Sequence, residues 1–328
     1  MWSLANARPP DTATPSNSDS PSSMPNTPDV SVIIVSYNTR ELLRECLQSL
    51  HSAGDCPTRE IIVVDNASSD GSAAMVAECF PKTRLIANAD NRGFGAACNQ
   101  GLDIVAGRYA LILNADIRAV GDALARLTQF MDAHPDAQVC GGQLCYPDGR
   151  VQPSCARELT LWAVFCEQSL LAKLFPRSRL FGGYWRTEWD FSSTIETEQV
   201  MGACMMLRRP FPRFDEAYFL YCEDTDLCYR VRRAGGRIYY VHDAVFVHHL
   251  GASGEPQRAE MVIYYNRGKV RYFRKFHGAW QAWLCRWLNA MGALLRVLIG
   301  VAGVALTLGR SQRARRYLQT FWKALRNA

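Results

Sequence analysis

From Val30 onward, short runs of β-branched and aliphatic residues alternate with stretches of helical spacing. The apolar runs are continuous, which is typical of parallel strands in a sheet that helices cover on both faces. The predicted strands cover residues 30–37, 60–65, 83–87 and 109–114, and the predicted helices cover residues 40–52, 72–80 and 95–106. The pattern therefore predicts an α/β fold with a mostly parallel central sheet flanked by helices.

Polar residues follow each of these four strands. Ligands of open α/β sheets bind at the carboxyl ends of the strands, so we expect the functional site there. The residues are Ser36, Tyr37 and Asn38 after the first strand, Asp65 and Asn66 after the second, residues 88–93 after the third, and Asn114 and Asp116 after the fourth.

The alternation weakens after about residue 140, where loops and aromatic side chains become frequent. The large aromatic residues there fit either an acceptor or partner surface or an ordinary second layer of the core; they are Trp162, Phe165, Trp185 and Trp189. Regular elements return at residues 198–208, then in a helix over 223–234 and a strand over 237–241.

Residues 1–28 contain six prolines and six serines and few large apolar side chains, so they cannot build a core. We predict a disordered leader there. A secretory signal would need an apolar run of about 7–15 residues behind a positive start. This segment has no such run, so we expect the folded part to stay in the cytoplasm.

Length and composition favour an enzyme, because 328 residues with 48% hydrophobic residues can build a large core. The net charge of +6, from 37 basic and 31 acidic residues, is too small to predict nucleic-acid binding. The twelve cysteines form no C-x-x-C pair, so neither a zinc cluster nor a disulfide framework is indicated. We interpret them as buried thiols in a reducing compartment.

An apolar stretch of 22 residues at 287–308 is long enough to span a bilayer, but it contains Asn289 and Arg296. An arginine near the centre of a spanning helix costs about 2.5–3.5 kcal/mol. Basic residues flank the stretch on both sides, so we favour a helix that lies on the membrane surface and is attracted to anionic lipid. The alternatives are a true span and a helix packed on the protein or on a second subunit of a homodimer.

Two aspartates at strand ends are candidates for ligand contacts. The carboxylate of Asp65 could accept hydrogen bonds from a base or a ribose, but aspartate is equally favoured as a helix N-cap. Asp116 fits a divalent cation that also binds a diphosphate, although one carboxylate needs a further ligand. His248 and His249 follow a β-rich run and are candidates for that ligand.

The densest acidic cluster lies at residues 214–226, among aromatic side chains. Apolar surroundings raise the pKa of a carboxyl group, whereas the start of a helix lowers it, and both effects apply to Glu223 and Asp224. A carboxylate that stays ionised there could act as a general base. The alternative is that these acids only complement the helix dipole, which is the role we assign to Asp226.

Five blocks of the chain resemble motifs of the family 2 glycosyltransferases, which are inverting enzymes with the GT-A fold, and in particular of their bacterial rhamnosyltransferase branch. The blocks are 32–38 (VIIVSYN), 63–71 (VVDNASSDG), 91–95 (NRGFG) with Asn99, 113–116 (LNAD), and 202–204 (GAC) with Glu223, Asp224 and His248. They stand in the family's order, and the similarity spans residues 30–275.

The resemblance implies a nucleotide-sugar donor, with dTDP-rhamnose favoured, and a lipid-linked glycan as acceptor. The residues that it assigns to the donor are Ser36, Asn38, Asp65, Asn66, Asn91, Arg92, Gly93, Asn114 and Asp116. It further implies that Asp116 and His248 hold Mg²⁺ or Mn²⁺. It assigns the general base to Asp224, with Glu223 as second choice, and the acceptor side to Gly202 and Ala203.

The resemblance also implies a GT-A domain over residues 29–278, and the apolar stretch with its basic flanks predicts membrane-associated helices over 279–328. Its nucleotide-binding half would cover 29–120, and its acceptor and catalytic half 121–278. The chain departs from the family pattern in having one carboxylate instead of two at 114–116 and a short link from Arg208 to Phe214.

Two other functions keep the same fold. One is an enzyme that uses a UDP-hexose or UDP-galactofuranose as donor, and the other is a catalytically silent subunit that binds a nucleotide and docks a partner. A dinucleotide-dependent oxidoreductase is disfavoured, because no G-x-G-x-x-G follows the first strand.

Overall fold

The computed structural model describes residues 27–52, 57–249, 258–308 and 310–327. Almost all of the predicted leader therefore lies outside the described residues. The strands are β1 (Val30–Ser36), β2 (Arg59–Asp65), β3 (Arg84–Ala87), β4 (Tyr109–Asn114), β5 (Ile117–Ala119), β6 (Ala137–Cys145), β7 (Val151–Gln152), β8 (Cys155–Ala156), β9 (Ile195–Glu196), β10 (Gln199–Val200), β11 (Cys204–Arg208) and β12 (Arg237–His248). The helices are α1 (Arg40–Ser52), α2 (Ser72–Cys79), α3 (Phe94–Asp103), α4 (Ala123–Ala133), α5 (Leu161–Gln168), α6 (Leu171–Leu174), α7 (Glu223–Arg233), α8 (Arg258–Phe276), α9 (Ala279–Leu306) and α10 (Gln312–Arg326), with a 3-10 turn at Gly183–Trp185.

Ten of the described strands form one mixed sheet with the order β3-β2-β1-β4-β11-β6-β12-β5, to which β7 and β9 add at β6 and β12. Strands β1 to β4 are parallel, as predicted. Strand β11 lies between β4 and β6 and is antiparallel to both. The predicted α/β fold is thus confirmed, with a reversed strand in the middle of the sheet.

The core has a layer on each face of the sheet. In β1, Val32 and Ile34 pack on one face with side chains from α1, α2 and α4. Ile33 packs on the opposite face with side chains from α3 and α7. Because successive side chains of a strand point to opposite faces, a strand that is buried on both faces has to be apolar throughout. This explains the continuous apolar runs of the sequence.

The predicted elements of the first 114 residues agree with the structure to within a few residues at their ends. Strands β5 and β6 and helix α4 were not predicted. Strand β12 continues from Arg237 to His248, with an irregular register between Val241 and Val245. The predicted strand over 237–241 is therefore the first half of a longer strand that ends at the candidate metal ligand.

Helix α9 packs on the protein through its small and polar residues. The side chain of Asn289 accepts a hydrogen bond from Gln168 and donates one to the Asn266 carbonyl. The guanidinium of Arg296 donates to the carbonyls of Glu167 and Gln168, which belong to the last turn of α5. The two polar residues that argued against a membrane span thus make contacts inside the protein.

The opposite face of α9 is apolar and exposed, and its tryptophans, Trp280, Trp283 and Trp287, are 68%, 55% and 50% exposed. Within the described part of the chain, α9 is the one helix long and apolar enough to cross a membrane. One face of α9 thus packs on the protein, and the choice between a helix on the membrane surface and the alternatives stays a prediction.

Candidate active site

The ends of the parallel strands bring the predicted polar residues to one edge of the sheet. Ser36 is paired with Asp65 in the register of β1 and β2, and Val35 is paired with Asn114 in that of β1 and β4. Because β11 runs the opposite way, its start also lies at this edge, and the Asn114 amide donates to the Ala203 carbonyl over 2.9 Å. These ends surround a cleft of about 360 Å³, which we call the strand-end cleft.

Asn66 lines this cleft, Asp65 lies buried directly before it in the chain, and both residues are 2% exposed. One carboxylate oxygen of Asp65, Oδ2, accepts from the Ser68 amide over 3.0 Å within the loop, whereas the N-cap of α2 is Gly71, so Asp65 does not cap the helix. The other, Oδ1, is buried without a hydrogen-bond partner. Buried polar atoms are nearly always paired, so this oxygen is suited to a donor group of a ligand.

The loop after β1 is held against the loop after β2 by Asn38. Its side-chain oxygen accepts from the Ser69 amide over 2.8 Å, and its own amide donates to the Ser68 hydroxyl over 2.9 Å. Asn38 has a left-handed backbone with φ of 53°, which asparagine tolerates better than most residues. Ser36 is fully buried, and its hydroxyl forms a hydrogen bond with that of Thr39. In this structure Ser36 therefore stabilises the loop after β1.

The loop at Asn91 to Gly93 closes the cleft on the α3 side. The Gly93 carbonyl accepts from the side chain of Asn66 over 3.1 Å, and its amide donates to the Asn91 side chain over 3.0 Å. Gly93 has φ of 85°, and a Cβ atom there would lie 2.5 Å from the Phe219 carbonyl oxygen. Glycine is thus required both by the backbone conformation and by the close approach of Phe219. Arg92 is exposed on the same loop.

We expect Gly93→Ala to destabilise the protein more than Gly149→Ala. Both glycines have a positive φ, 85° and 83°, but nothing lies within 4 Å of a Cβ atom at Gly149. The strained backbone costs about 1–3 kcal/mol, and only the Gly93 variant adds a clash with the Phe219 backbone. Urea unfolding of the two variants beside the wild type measures the difference, and equal losses would contradict the close approach.

Asp116 and His248 form the candidate metal site. The Nε2 atom of His248 lies 3.3 Å from the Asp116 carboxylate, and Nδ1 lies 3.1 Å from the side-chain oxygen of Gln152. Gln152 therefore fixes the ring through one nitrogen and leaves the other facing the carboxylate, as outer partners of metal-binding histidines do. Among the described residues, no group of three or more His, Cys, Asp or Glu could hold a metal. The pair fits a cation whose remaining ligands come from phosphate oxygens and water.

Glu223 and Asp224 reach the cleft from the start of α7. The two residues before them, Tyr221 and Cys222, both have a left-handed backbone with φ of 68°, so the chain turns sharply into the helix. Helix α8 lies against this turn at Gly268, where a Cβ atom would approach the Tyr221 carbonyl oxygen to 2.7 Å. The position of the two carboxyl groups thus depends on a glycine of α8.

The two carboxyl groups differ in their hydrogen bonds. Asp224 accepts from the amide of Gly202 over 3.0 Å and from that of Thr225 over 2.7 Å. Burial raises the pKa of Asp224, and these hydrogen bonds oppose the rise. Burial raises the pKa of Glu223 well above its usual range, and the charge of Asp224 adds to this shift. The Oε2 atom of Glu223 is buried without a hydrogen-bond partner. Asp224 is therefore the carboxyl group better suited to stay ionised.

A second cavity of about 410 Å³, which we call the aromatic cavity, lies on the side of Asp224 away from the strand-end cleft. Its walls include the aromatic side chains of Tyr184, Trp185 and Tyr265 and the carboxyl group of Glu167. Asp224 and Tyr221 line both this cavity and the strand-end cleft. The candidate base thus stands where the two cavities meet.

The structure brings most of the predicted site residues around one cleft. Lining it are Asn38, Asn66, Asn91, Gly93, Asn114, Asp116, Gly202, Ala203, Glu223, Asp224 and His248. Asp65 and Ser36 lie buried beside it, and Arg92 is exposed outside it. No pattern along the chain indicated Gln152, which belongs to a two-residue strand, or Glu167 and Tyr265 of the second cavity.

Comparison with known proteins identifies the class of protein. A family model described as "Glycosyl transferase family 2" matches residues 31–209, which run from β1 through β11. The chain therefore belongs to glycosyl transferase family 2, and it is a glycosyltransferase with a GT-A-like fold. The candidate base and His248 lie beyond the matched residues.

Two bacterial relatives extend the comparison. The N-acetylglucosaminyl-diphospho-decaprenol L-rhamnosyltransferase of Mycobacterium tuberculosis is 27% identical over 271 residues, which cover 78% of this chain and 87% of the relative. Succinoglycan biosynthesis protein ExoO of Rhizobium meliloti is 30% identical over 240 residues, which cover 70% of this chain and 63% of the relative.

Among solved structures, mannosyltransferase PcManGT from Pyrobaculum calidifontis, in complex with GDP-Man and Mn²⁺, matches with a TM-score of 0.52 and 18% identity. The match covers 92% of this chain and 86% of that chain. At this identity, the likeness supports the fold alone.

Proposed function

We propose that the enzyme transfers L-rhamnose from dTDP-rhamnose to a lipid-linked intermediate of a cell-surface polysaccharide and inverts the anomeric carbon. The observation that carries the mechanism is the position of Asp224 between the strand-end cleft and the aromatic cavity. The sugar and the acceptor are supported by the name of the mycobacterial relative.

The donor lies in the strand-end cleft in this mechanism. The unpaired Oδ1 of Asp65 accepts a hydrogen bond from the base or the ribose, and Asn66 holds the loop at Gly93 in place from the same strand end. Asn38 fixes the neighbouring loop. The diphosphate lies toward Asp116, because Asn114 and Asp116 line the opposite side of the cleft.

Asp116 and His248 would hold Mg²⁺ or Mn²⁺. The bound cation supplies positive charge that stabilises the nucleoside diphosphate as leaving group. The protein's own contribution is to orient the imidazole through Gln152 and to keep it buried, with the His248 side chain 3% exposed.

Asp224 acts as the general base. Its ionised carboxylate takes the proton from the attacking hydroxyl of the acceptor, and the oxygen displaces the nucleoside diphosphate from the opposite face of the sugar. The hydrogen bonds from Gly202 and Thr225 keep the carboxylate oriented and partly offset the cost of burying its charge. Gly202 and Ala203 themselves line the strand-end cleft, so their assignment to the acceptor side stays a prediction.

The acceptor enters from the aromatic cavity. Tyr184, Trp185 and Tyr265 offer faces on which a sugar ring can pack. Glu167 offers a carboxylate to the sugar hydroxyls, and it is held by the fully buried Lys269, whose Nζ lies 3.4 Å from Oε2. A lysine side chain buried this completely needs its ion-pair partner, so the contact holds Glu167 in place.

The location proposed for the enzyme is the cytoplasmic face of the membrane, with the C-terminal helices on the lipid surface. A lipid-linked acceptor is presented at such a surface, and the exposed apolar face of α9 supports the contact. The domain boundaries predicted at residues 29, 120 and 278 and assembly as a homodimer stay predictions.

We expect dTDP-rhamnose to be the preferred donor. The test offers dTDP-rhamnose, UDP-hexoses, UDP-galactofuranose and GDP-mannose to the full-length enzyme with Mg²⁺, an N-acetylglucosaminyl-diphospho-lipid acceptor and anionic vesicles. Release of nucleoside diphosphate measures turnover, and NMR of the product gives the anomeric configuration.

Each outcome bears on a different part of the proposal. Preference for another donor would refute the sugar but leave the mechanism standing. Retention of the anomeric configuration would refute the single displacement. Nucleotide binding without turnover of any donor, with or without acceptor, would favour the silent subunit.

A further inference from the structure

Exposed apolar side chains form a patch on the segment that runs from α5 through α6 to residue 181. Its five exposed members, which we call the α6 patch, are Trp162, Phe165, Leu174, Phe175 and Leu180. By sequence, Trp162 and Phe165 fit either a surface or a second core layer. At 46% and 37% exposed, they belong to a surface, and the proposed reaction does not use it.

The side chains of the α6 patch contact one another. Between ring centroids, Trp162 lies 5.3 Å from Phe165 and 6.3 Å from Phe181. The ring of Phe181 in turn lies 5.6 Å from that of Phe175. The indole nitrogen of Trp162 also donates to the Leu180 carbonyl over 2.8 Å. The patch is therefore one continuous surface, and exposed apolar surfaces of this kind mark interaction sites.

The chain around the α6 patch is basic. Between Glu167 and Glu188 it contains four basic residues and no aspartate or glutamate. One of the four, Arg186, pairs with Glu198. The other three are exposed, and none has a carboxylate partner among the described residues: Lys173, Arg177 and Arg179. An apolar surface with three uncompensated cations fits an anionic surface that also has an apolar layer.

The segment that carries the α6 patch also builds part of the aromatic cavity. Glu167, which follows the patch residues of α5, lines this cavity. After Leu180 the chain continues into Tyr184 and Trp185, which line it as well. A surface that contacts the patch therefore lies beside the elements that form the proposed acceptor site.

Helix α9, which carries the other exposed apolar face, packs directly against this segment. At the end of α5, Gln168 lies so close to the middle of α9 that a Cβ atom at Gly292 would stand 2.0 Å from its side-chain oxygen. Arg296, one turn further along α9, donates to the carbonyls of Glu167 and Gln168. The two exposed apolar surfaces thus belong to helices that pack on each other.

We propose that the α6 patch is a second membrane contact, which binds the surface of a bilayer that contains anionic phospholipid. Its aromatic and aliphatic side chains enter the headgroup region, and its three cations face the lipid phosphates. A lipid-linked acceptor would then meet the aromatic cavity beside this contact. The inference rests on the membrane attachment in the proposed function and is independent of the donor and of the base.

The first test removes the charges. It compares Lys173→Gln/Arg177→Gln/Arg179→Gln with the matched variant Lys82→Gln/Arg118→Gln/Arg233→Gln, which removes one lysine and two arginines from exposed positions elsewhere. Co-sedimentation of the full chain with phosphatidylcholine vesicles containing phosphatidylglycerol measures binding. At low salt we expect the patch variant to bind about 10- to 100-fold more weakly, and the matched variant to lose clearly less.

The second test removes apolar surface. Leu174→Ser/Phe175→Ser keeps every charge but takes away two side chains that are 67% and 51% exposed. We expect about 10-fold weaker binding or more. This loss should persist at high salt, where attraction between exposed charges is screened. Circular dichroism and urea unfolding check that all variants are folded.

Several results would overturn the inference. Equal losses in the two triple variants would indicate attraction by diffuse charge, and unchanged binding of Leu174→Ser/Phe175→Ser would exclude entry of the patch into the headgroup region. Unchanged vesicle binding with loss of a dimer in sedimentation velocity would assign the patch to a second copy of the chain.

The same assay separates this inference from the proposed function. Patch variants that bind like wild type would refute only the second contact and leave attachment through α9 standing. Wild-type protein that binds no vesicles would refute the membrane attachment itself. Because the vesicles carry no donor, a failure of the rhamnosyltransferase proposal would not change either result.

Discussion

Replacing Asp224 by asparagine is expected to lower the rate of sugar transfer by about 10²–10⁴-fold, which is the usual contribution of a general base. The amide cannot take the proton of the acceptor hydroxyl. Its one oxygen can keep the hydrogen bond from Gly202 or the one from Thr225 but not both, so circular dichroism has to accompany the assay. Donor affinity should change little, and calorimetric titration with the nucleoside diphosphate checks this beside the turnover assay.

The pH profile gives a second readout of the same residue. Only the ionised carboxylate acts as a base, so transfer falls as the pH drops through the pKa of Asp224. Burial raises that pKa above its ordinary value of 3.8, which moves the acid limb to a higher pH than an exposed aspartate would give. Asp224→Asn should lose this acid limb.

Glu223→Gln is the matched control, because it makes the same chemical change at the adjacent buried carboxyl group. The raised pKa of Glu223 favours its protonated form, and glutamine is a close neutral mimic of that form. We expect this variant to retain most of its turnover. If Glu223→Gln were the inactive variant and Asp224→Asn the active one, the base would be Glu223, our second choice.

The second large effect is expected at Asp116. Asp116→Ala removes one of the two protein groups that would hold the cation, and with it charge stabilisation of the leaving diphosphate. Loss of such stabilisation lowers turnover by about 10²–10³-fold. Titration of nucleoside diphosphate release with Mg²⁺ and Mn²⁺ measures both the rate and the metal concentration that is needed.

Two further variants make this experiment specific. Asp122→Ala removes an exposed carboxylate that pairs with Arg126 on the surface, and it should leave the metal titration unchanged. Gln152→Ala removes the hydrogen-bond partner of the Nδ1 atom of His248. The affinity for the metal should fall by about 10–100-fold, as it does when an outer partner of a metal ligand is lost. Metal-stimulated turnover that survives in Asp116→Ala would refute the site.

The first half of the site was predictable because each of its residues directly follows a strand. Asp65 and Asn114 stand at the ends of apolar runs that are typical of buried strands. Parallel strands bring such ends to one edge of the sheet. The same reasoning could not identify Gln152. It lies 96 residues from His248 in the sequence, in a segment whose two-residue strand is too short for a pattern.

The C-terminal helices were likewise predictable from the sequence only in part. Their apolar length and flanking arginines were visible in the sequence, but the roles of Asn289 and Arg296 were not. Both are polar residues that look unfavourable in an apolar helix until α5 is placed beside them, where they bond Gln168 and its neighbours. Their partners are set by helix packing, which no local pattern encodes.

By itself, the sequence determined the α/β class, the parallel strands β1 to β4, the polar residues at their ends and the family motifs, because these depend on periodicity and on neighbours along the chain. The tertiary structure alone decided that β11 is antiparallel to β4 and that Asp224 lies where two cavities meet. These features arise from contacts between segments far apart in the chain, whose closeness depends on how the whole core packs.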